Sequence, residues 1–222
     1  LQYSGFTLRD EDGRLSVERG LLTRMRGSVP RGRIQAFSLR EGVLHRLFGR
    51  RNLRVDTAVM GALNEKAAVR DVAPIATPEV TDALIDRLLP EAAWPVAEWL
   101  PLHPRAWRRK FALPAMLTLA ATAILMFFRG PWGLLLLLAL PLLYWRARLW
   151  ARRSGYSVAN GLVAFRGGWL DRHWRFAESR KLQALELLQS PCDRRHGMAT
   201  LRFDTAGASP MEPGLKIPYL PE

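Results

Sequence analysis

The hexapeptide LRVDTA, residues 53–58, returns as LRFDTA at residues 201–206. A gap-free alignment of residues 13–58 with 161–206, at a constant offset of 148, keeps 14 of 46 positions identical. They are Gly13, Gly20, Leu22, Arg24, Gln35, Ala36, Leu39, Arg46, Gly49, Leu53, Arg54, Asp56, Thr57 and Ala58. Conservative pairs fill the spaces, among them Arg33 with Lys181, Ile34 with Leu182 and Val55 with Phe203. Upstream, SGF at Ser4 matches SGY at Ser154 after a two-residue shift in the RDEDG turn, where a change of length costs little. Self-similarity at this scale means that a whole folding unit is written twice.

The unit reads as short strands. Leu15-Ser16-Val17-Glu18 and Val163-Ala164-Phe165-Arg166 alternate large apolar with small or polar residues. Gly20 and Gly168 follow as bends. In RIQAFSLR and KLQALELL the apolar positions are spaced three and then two, which predicts a β-bulge at Gln35-Ala36 and at its copy. Leu53, Val55 and Thr57 share one strand face, with Arg54 and Asp56 on the other, where they are expected to form an ion-pair ladder. A further strand, AVRDVAPI, follows the polar turn LNEK. The first copy ends in a helix with Thr77 as N-cap and Pro78 at its first position, and an apolar stripe of Val80, Leu84 and Leu88. The expected fold is mainly β plus membrane α: two small β-barrels, the first closed by its C-terminal helix. IPYLPE puts Pro221-Glu222 where Pro78-Glu79 stands in copy one, so copy two is expected to lack its helix within this chain.

Between the copies, FALPAMLTLAATAILMFF (111–128) runs for eighteen residues without a charge, and PWGLLLLLALPLLYW (131–145) follows a single RG. Crossing a hydrocarbon layer takes about 20 apolar residues. Soluble core helices carry a polar stripe, and these runs have none. The reading is a hairpin of two spanning helices, with a buried hairpin and a one-sided re-entrant hairpin as the alternatives. Arg105, Arg108, Arg109 and Lys110 precede the runs; Arg146, Arg148, Arg152 and Arg153 follow; the turn holds only Arg129. Positive flanks stay in the cytoplasm. Both repeats are therefore expected on the cytoplasmic side, with membrane-flanking contacts from Arg108, Arg109, Lys110, Arg146 and Arg148. The intervening EAAWPVAEWLPLHPRAWRRK reads as a linker lying along the bilayer surface on Trp94, Trp99 and Trp107. The domain plan is 1–90, first repeat; 91–110, interfacial linker; 111–150, transmembrane hairpin; 151–222, second repeat.

The early strand pair GRLSVERGLLTR, the Ile34-Gln35 pair, the Arg46-Leu47-Phe48-Gly49 turn and the LRVDTA strand together resemble a bacterial pleckstrin-homology-like domain of the second type, as in YdbS- and YdbT-like membrane proteins. The resemblance covers nearly the whole chain and implies tandem PH-like barrels separated by helical hairpins, in the bacterial cytoplasmic (inner) membrane, with no known reaction. Copy two departs at the turn, where Arg194-Arg195-His196-Gly197 lacks the Leu-Phe pair.

The formal charge of +13 calls for an anionic partner. Candidate anionic-lipid contacts are Arg31, Arg33, Arg46, Arg50 and Arg51, with Arg194 and Arg195 in copy two. Nucleic acid is disfavoured, because the aromatics do not interleave with the basic residues as a stacking platform needs. His45, His103, His173 and His196 show no metal-ligand spacing, no phosphate loop or nucleophile elbow is present, and the single Cys192 stands alone. No enzyme and no cofactor are expected. Two readings remain: a non-catalytic adaptor binding lipid headgroups or a membrane-protein partner, with homo-oligomers allowed; or a subunit of a transport, export or toxin-resistance system. Thr118 and Thr122 are the only polar residues in the first run, which favours the adaptor.

The topology is testable with an impermeant thiol reagent on intact cells, in a chain with Cys192 replaced by Ser. A cysteine at Gly130 should label and one at Gly161 should not; labelling at Gly161 alone would reverse the orientation.

Overall fold

The computed structural model describes residues 6–11, 13–20, 25–57, 71–90, 94–205 and 214–221. Ser4 and Gly5 of the SGF stretch, the repeat identities Leu22, Arg24 and Ala58, and the expected turn at 63–66 lie outside the described residues. Strands β1 (Thr7–Glu11), β2 (Arg14–Arg19) and β3 (Met25–Pro30) form an antiparallel sheet in that order. The second half of the first repeat supplies β4 (Ile34–Glu41), β5 (Arg51–Thr57) and β6 (Asp71–Ala76). The short β7 (Leu100–Pro101) precedes the helices. The second repeat supplies β8 (Gly155–Ala159), β9 (Leu162–Gly167), β10 (Arg172–Glu178), β11 (Leu182–Leu188), β12 (Met198–Thr205) and β13 (Leu215–Pro221). Helices are α1 (Val43–Leu47), α2 (Pro78–Leu88), α3 (Ala106–Arg129), α4 (Ala139–Arg153) and α5 (Pro191–Arg195).

The repeats do not close two separate barrels. A single seven-stranded antiparallel sheet runs β6-β5-β4-β10-β9-β8-β7, joining the back half of repeat one to the front half of repeat two. The β1–β3 and β11–β13 sheets are separate. Within each repeat the chain turns a 3₁₀ corner, at Arg31–Arg33 and at Ser179–Lys181, instead of pairing across it. The shared sheet has a core on each face, and alternation along its strands, interrupted in β4 by the bulge at Ile34–Ala36, sorts the apolar side chains between them. Phe37 and Leu39 of β4, Leu162 and Ala164 of β9 and Phe176 of β10 enter one core with Leu15, Val29 and Ile85. Ala36, Val163, Phe165 and Ala177 enter the other with Phe203, Leu215 and Ile217.

The seam itself is aromatic. Phe37 lies directly across from Phe176, their rings nearly parallel at 5.4 Å, and Trp94 stacks on Phe176 at 4.5 Å. Asp56, expected to pair within its own strand, instead accepts from Arg175 of the other repeat at 3.0 Å. Its strand neighbour Arg54 turns to Asp71 at 2.7 Å. In copy two Arg202 lies 3.8 Å from Glu186 across the β11–β12 ladder. The predicted bulge is present in both copies, as register shifts between Ile34 and Ala36 and between Leu182 and Ala184. All three recurring glycines, Gly13, Gly20 and Gly49, take positive φ (71°, 107° and 59°), as do their mates Gly161, Gly168 and Gly197 (70°, 92° and 61°), which is why the repeat keeps them.

Further expectations change. The buried face of α2 is Thr81, Ile85 and Leu88; Val80 is 56% exposed, so the face is turned by about one residue from the predicted stripe. Thr81 can be buried because its hydroxyl donates to the Pro78 carbonyl at 2.8 Å. Val80 and Leu84 instead line an apolar groove with Phe6, Leu8 and Ile75. Trp94 and Trp99 are not laid on a surface: both pack against the first core, with Trp94 Nε1 donating to Asp82 at 2.9 Å. Burying a ring whose one N–H finds a carboxylate satisfies both its apolar body and its polar edge.

The second apolar run is not a uniform α-helix. Gly130–Leu138 is a 3₁₀ helix, and α4 starts only at Ala139. Gly133 sits where a Cβ would lie 2.7 Å from the Met126 backbone nitrogen, so this turn packs directly on the end of α3. A 3₁₀ segment rises about 2.0 Å per residue against about 1.5 Å for α, so the shorter run is stretched toward the length of its partner. Farther along, Tyr144 meets Trp107 and Phe111 edge-on at 5.3 and 6.0 Å, so the chain folds back on itself. Ala106–Arg153 is the one helical segment among the described residues long and apolar enough to cross a membrane, and its most apolar stretch is almost wholly exposed. Its lower end is built into the second core, where Leu102, Ala106 and Trp150 pack much as α2 packs in the first.

Phe176 belongs by sequence to repeat two but is fully buried in the core of repeat one. Phe176→Ala should cost about 3–5 kcal/mol, measured by denaturant unfolding of the whole chain in detergent. A cost below about 1 kcal/mol, the range of exposed substitutions, would mean that the seam is not part of the folded core.

Candidate functional site

The ladder registers put several strand ends on one edge. Pro101 pairs with Gly155, Gly155 with Arg166, Gly167 with His173, and Arg172 with Glu41. Gly155 lies two residues beyond Arg153, the last residue of α4. The helical segment therefore meets the shared sheet along the rim that also carries the ends of β4 and β9 and the start of β10.

Two basic clefts open near this rim. One, of about 350 Å³, is lined by Arg152, Arg153, Arg166, Arg172, Gly167, Gly168 and Trp174, with no carboxylate in its wall. Arg166 lies over the Trp99 ring at 4.8 Å, and its Nε is buried with no hydrogen-bond partner. Burial pulls the Arg166 pKa down from its ordinary value, yet a guanidinium stays charged at neutral pH. Arg172 has Glu41 at 3.9 Å, a loose contact. Gly168 allows the tight bend at the cleft: a Cβ there would fall 1.8 Å from the Asp171 carbonyl oxygen.

The other cleft, of about 450 Å³, is lined by Arg40, Lys110, His173, Arg175 and Lys216, with Trp150, Tyr219 and one acid, Asp171, among the remaining walls. Lys110 of α3 rests on Trp150 of α4 at 5.0 Å. Burial holds His173 below its ordinary pKa, helped by Arg40 and Arg175 and opposed by Asp171, so it is neutral at pH 7. Together the clefts set an array of cations against the base of the apolar segment. Such an array can hold phosphate or carboxylate groups through charge-assisted hydrogen bonds.

The residues singled out from sequence are scattered around this array. Arg31 is bound to Asp10, which also accepts Arg87 at 3.1 Å, so its charge is matched. Arg51 lies 3.4 Å from Asp82 and 5.6 Å from the Trp174 ring. Arg33, Arg46, Arg50, Arg194, Arg195 and Arg146 are exposed. Arg108 and Arg148 both approach the Trp107 ring, at 5.5 and 5.2 Å, forming a cation–aromatic collar with Lys110. Arg109 donates to Asp193 at 3.0 Å and to Ser190 at 3.3 Å, tying α5 to the first turns of α3. Burial alone would raise the Asp193 pKa, but the bonds from Ser190 and Arg109 outweigh it and hold it below its ordinary value. This explains the departure of the second turn: Asp193, standing where copy one has His45, closes a capping box with Ser190 and anchors the turn.

Arg40, Arg166 and Lys216 did not stand out in the sequence, because each is a single cation in a different strand or strand end. Arg172 and Arg175 lie close together in one strand, β10. Only the β4–β10 seam brings Arg40 beside them. Among the described residues no group of three or more His, Cys, Asp or Glu side chains is placed to hold a metal ion. The Thr118 and Thr122 hydroxyls donate to the Pro114 and Thr118 carbonyls at 2.9 and 2.8 Å, so they back-bond within α3.

Comparison with known proteins fits this construction. A family model for the bacterial PH domain matches twice, over residues 1–89 and 111–222, the second match including most of the helical segment. The UPF0699 transmembrane protein YdbT of Bacillus subtilis (strain 168) is 20% identical over 213 residues, covering 95% of this chain and 43% of the relative. The chain thus spans less than half the length of that relative, and no solved structure matches. With both matches falling on the two repeats read from sequence, the chain belongs to the bacterial PH domain family and carries the domain in tandem.

Proposed function

We propose that the chain is a non-catalytic membrane scaffold. In this reading a transmembrane hairpin, residues 106–153, holds two PH-like repeats on the cytoplasmic face, and the basic rim binds anionic phospholipid headgroups. The observation that carries it is the placement of the clefts. Arg152, Arg153, Arg166 and Arg172 surround a carboxylate-free cleft at the foot of the apolar segment, where headgroups would lie if that segment crosses a bilayer. Electrostatic attraction to a charged surface decays within a Debye length of about 8 Å at physiological salt. Cations at the foot of the helices lie within that reach, and each contributes about 1 kcal/mol toward an anionic leaflet. The exposed arginines Arg46, Arg50, Arg194 and Arg195 add to this positive charge, whereas Arg33 stands at the opposite end of β4 and Arg31 and Arg51 are paired with acids, so these three contribute less. A transport path through the hairpin is disfavoured, because its two threonine hydroxyls are satisfied within α3.

Native mass spectrometry of the intact chain in neutral detergent tests this. It should retain phosphatidylglycerol in preference to phosphatidylcholine, and Arg152→Glu with Arg172→Glu should remove the preference while the circular dichroism spectrum stays unchanged. Equal retention of both lipids by the unaltered chain, or an unchanged preference in the folded double variant, would overturn the headgroup reading.

A further inference from the structure

We infer that the α1 turn of the first repeat is a second, shallow membrane anchor, whose apolar tip inserts into the bilayer beside the helical segment. The inference deepens the reading above, since it rests on residues 106–153 lying in a bilayer. It does not depend on anionic lipid.

The argument starts from register. Glu41 pairs with Arg172; His173 pairs with Gly167, which sets Arg172 level with Gly168; Arg166 pairs with Gly155, which sets Gly168 level with Arg153. The end of β4 is therefore level with the end of α4, three strands away across a sheet whose neighbours lie about 4.8 Å apart. Everything that projects beyond Glu41 runs alongside the last turns of α4, where the exposed Trp145 and the half-buried Arg148 are expected to mark the interface. What projects there is Gly42 and α1.

The chemistry of α1 suits that depth. Leu44, Leu47 and Phe48 are 68%, 75% and 71% exposed, and Val43 is 54% exposed. Three large apolar residues at a protruding turn have no partner among the described residues, yet Arg46 and Arg50 flank them as headgroup-level cations. The hydrogen bond from Arg50 N to His45 O and the one from Phe48 N to Leu44 O close the turn, so its backbone is largely satisfied without water. The second repeat gives the contrast. Its equivalent turn, α5, carries Pro191, Cys192, Arg195 and His196 in place of Val43, Leu44, Leu47 and Phe48, and is fastened to α3 through Asp193 and Arg109. The turn fastened to protein has a polar tip; the turn with no such fastening among the described residues has an apolar one.

The test uses the whole chain, with Cys192 replaced by Ser, reconstituted in phosphatidylcholine vesicles. Single cysteines carry an environment-sensitive fluorophore at Phe48, at Phe127 in the helical segment, and at Val158, which is exposed at the end of β8 away from the rim. The expected result is a blue-shifted emission, quenched by doxyl-labelled lipid, at positions 48 and 127 but not at 158. Quenching at 127 with position 48 as water-like as 158 would overturn the anchor while leaving the membrane reading intact. Absence of quenching at 127 would overturn both.

Discussion

The pairing of β4 with β10 is the constraint on which the rest of this molecule depends. It turns two repeats into one sheet with a core on either face. Because side chains alternate along a strand, a slip of one residue at this seam would move Phe37, Leu39, Trp174 and Phe176 out of one core and push Ser38, Arg40 and Arg175 into it. The aromatic stack of Phe37, Phe176 and Trp94 penalises such a slip on one face. The Asp56–Arg175 ion pair penalises it on the other.

The same pairing sets the electrostatics. Arg40 and Arg175 come from different repeats and share a cleft only because their strands are neighbours. Like charges gathered in this way repel, and the fold tolerates them where water, aromatic faces or a few acids screen them: Arg166 on Trp99, Lys110 on Trp150, Arg175 on Asp56. In the cleft of Arg152, Arg153, Arg166 and Arg172 no acid lines the wall and only Glu41 approaches, 3.9 Å from Arg172, so the array keeps an excess of positive charge. Fixed excess charge beside a long exposed apolar segment is the combination on which the proposed bilayer contact rests.

Much of this was legible in the sequence, for identifiable reasons. The repeat, the paired bulges and the positive-φ glycines are local, and each repeat copies them, so the pattern could be read twice. The apolar segment announced itself by length. What sequence could not give was partnership between distant strands. Asp56 has an arginine two residues away in its own strand and another 119 residues away in sequence, and the fold selects the distant one. Trp94 and Trp99 sit in a proline-rich linker and look interfacial, but the open side of the shared sheet offers them a dry surface. For α2 the error was one of phase, since a helix this short presents two plausible apolar faces and only the position of the sheet selects between them.

The seam nonetheless leaves a signal in the differences between the copies. The outward face of β2 and β3 is Arg14, Ser16, Glu18, Arg26 and Ser28, a solvent face held by pairs such as Glu18 with Arg26 at 2.7 Å. The corresponding residues of copy two are Leu162, Ala164, Arg166, Trp174 and Phe176. Four of these five changes replace a polar residue with an apolar one, and the fifth becomes the arginine that lies on Trp99. A sheet that faces water in one copy thus faces a neighbouring core in the other. The reverse holds for β4 and β11: Phe37 and Leu39 are 2% and 1% exposed, whereas Leu185 and Leu187, at the same places in copy two, are 63% and 58% exposed on a sheet edge with no neighbouring strand. Identity between repeats marks what the fold of each unit needs. Substitution between them, read face by face, marks where one unit meets the other.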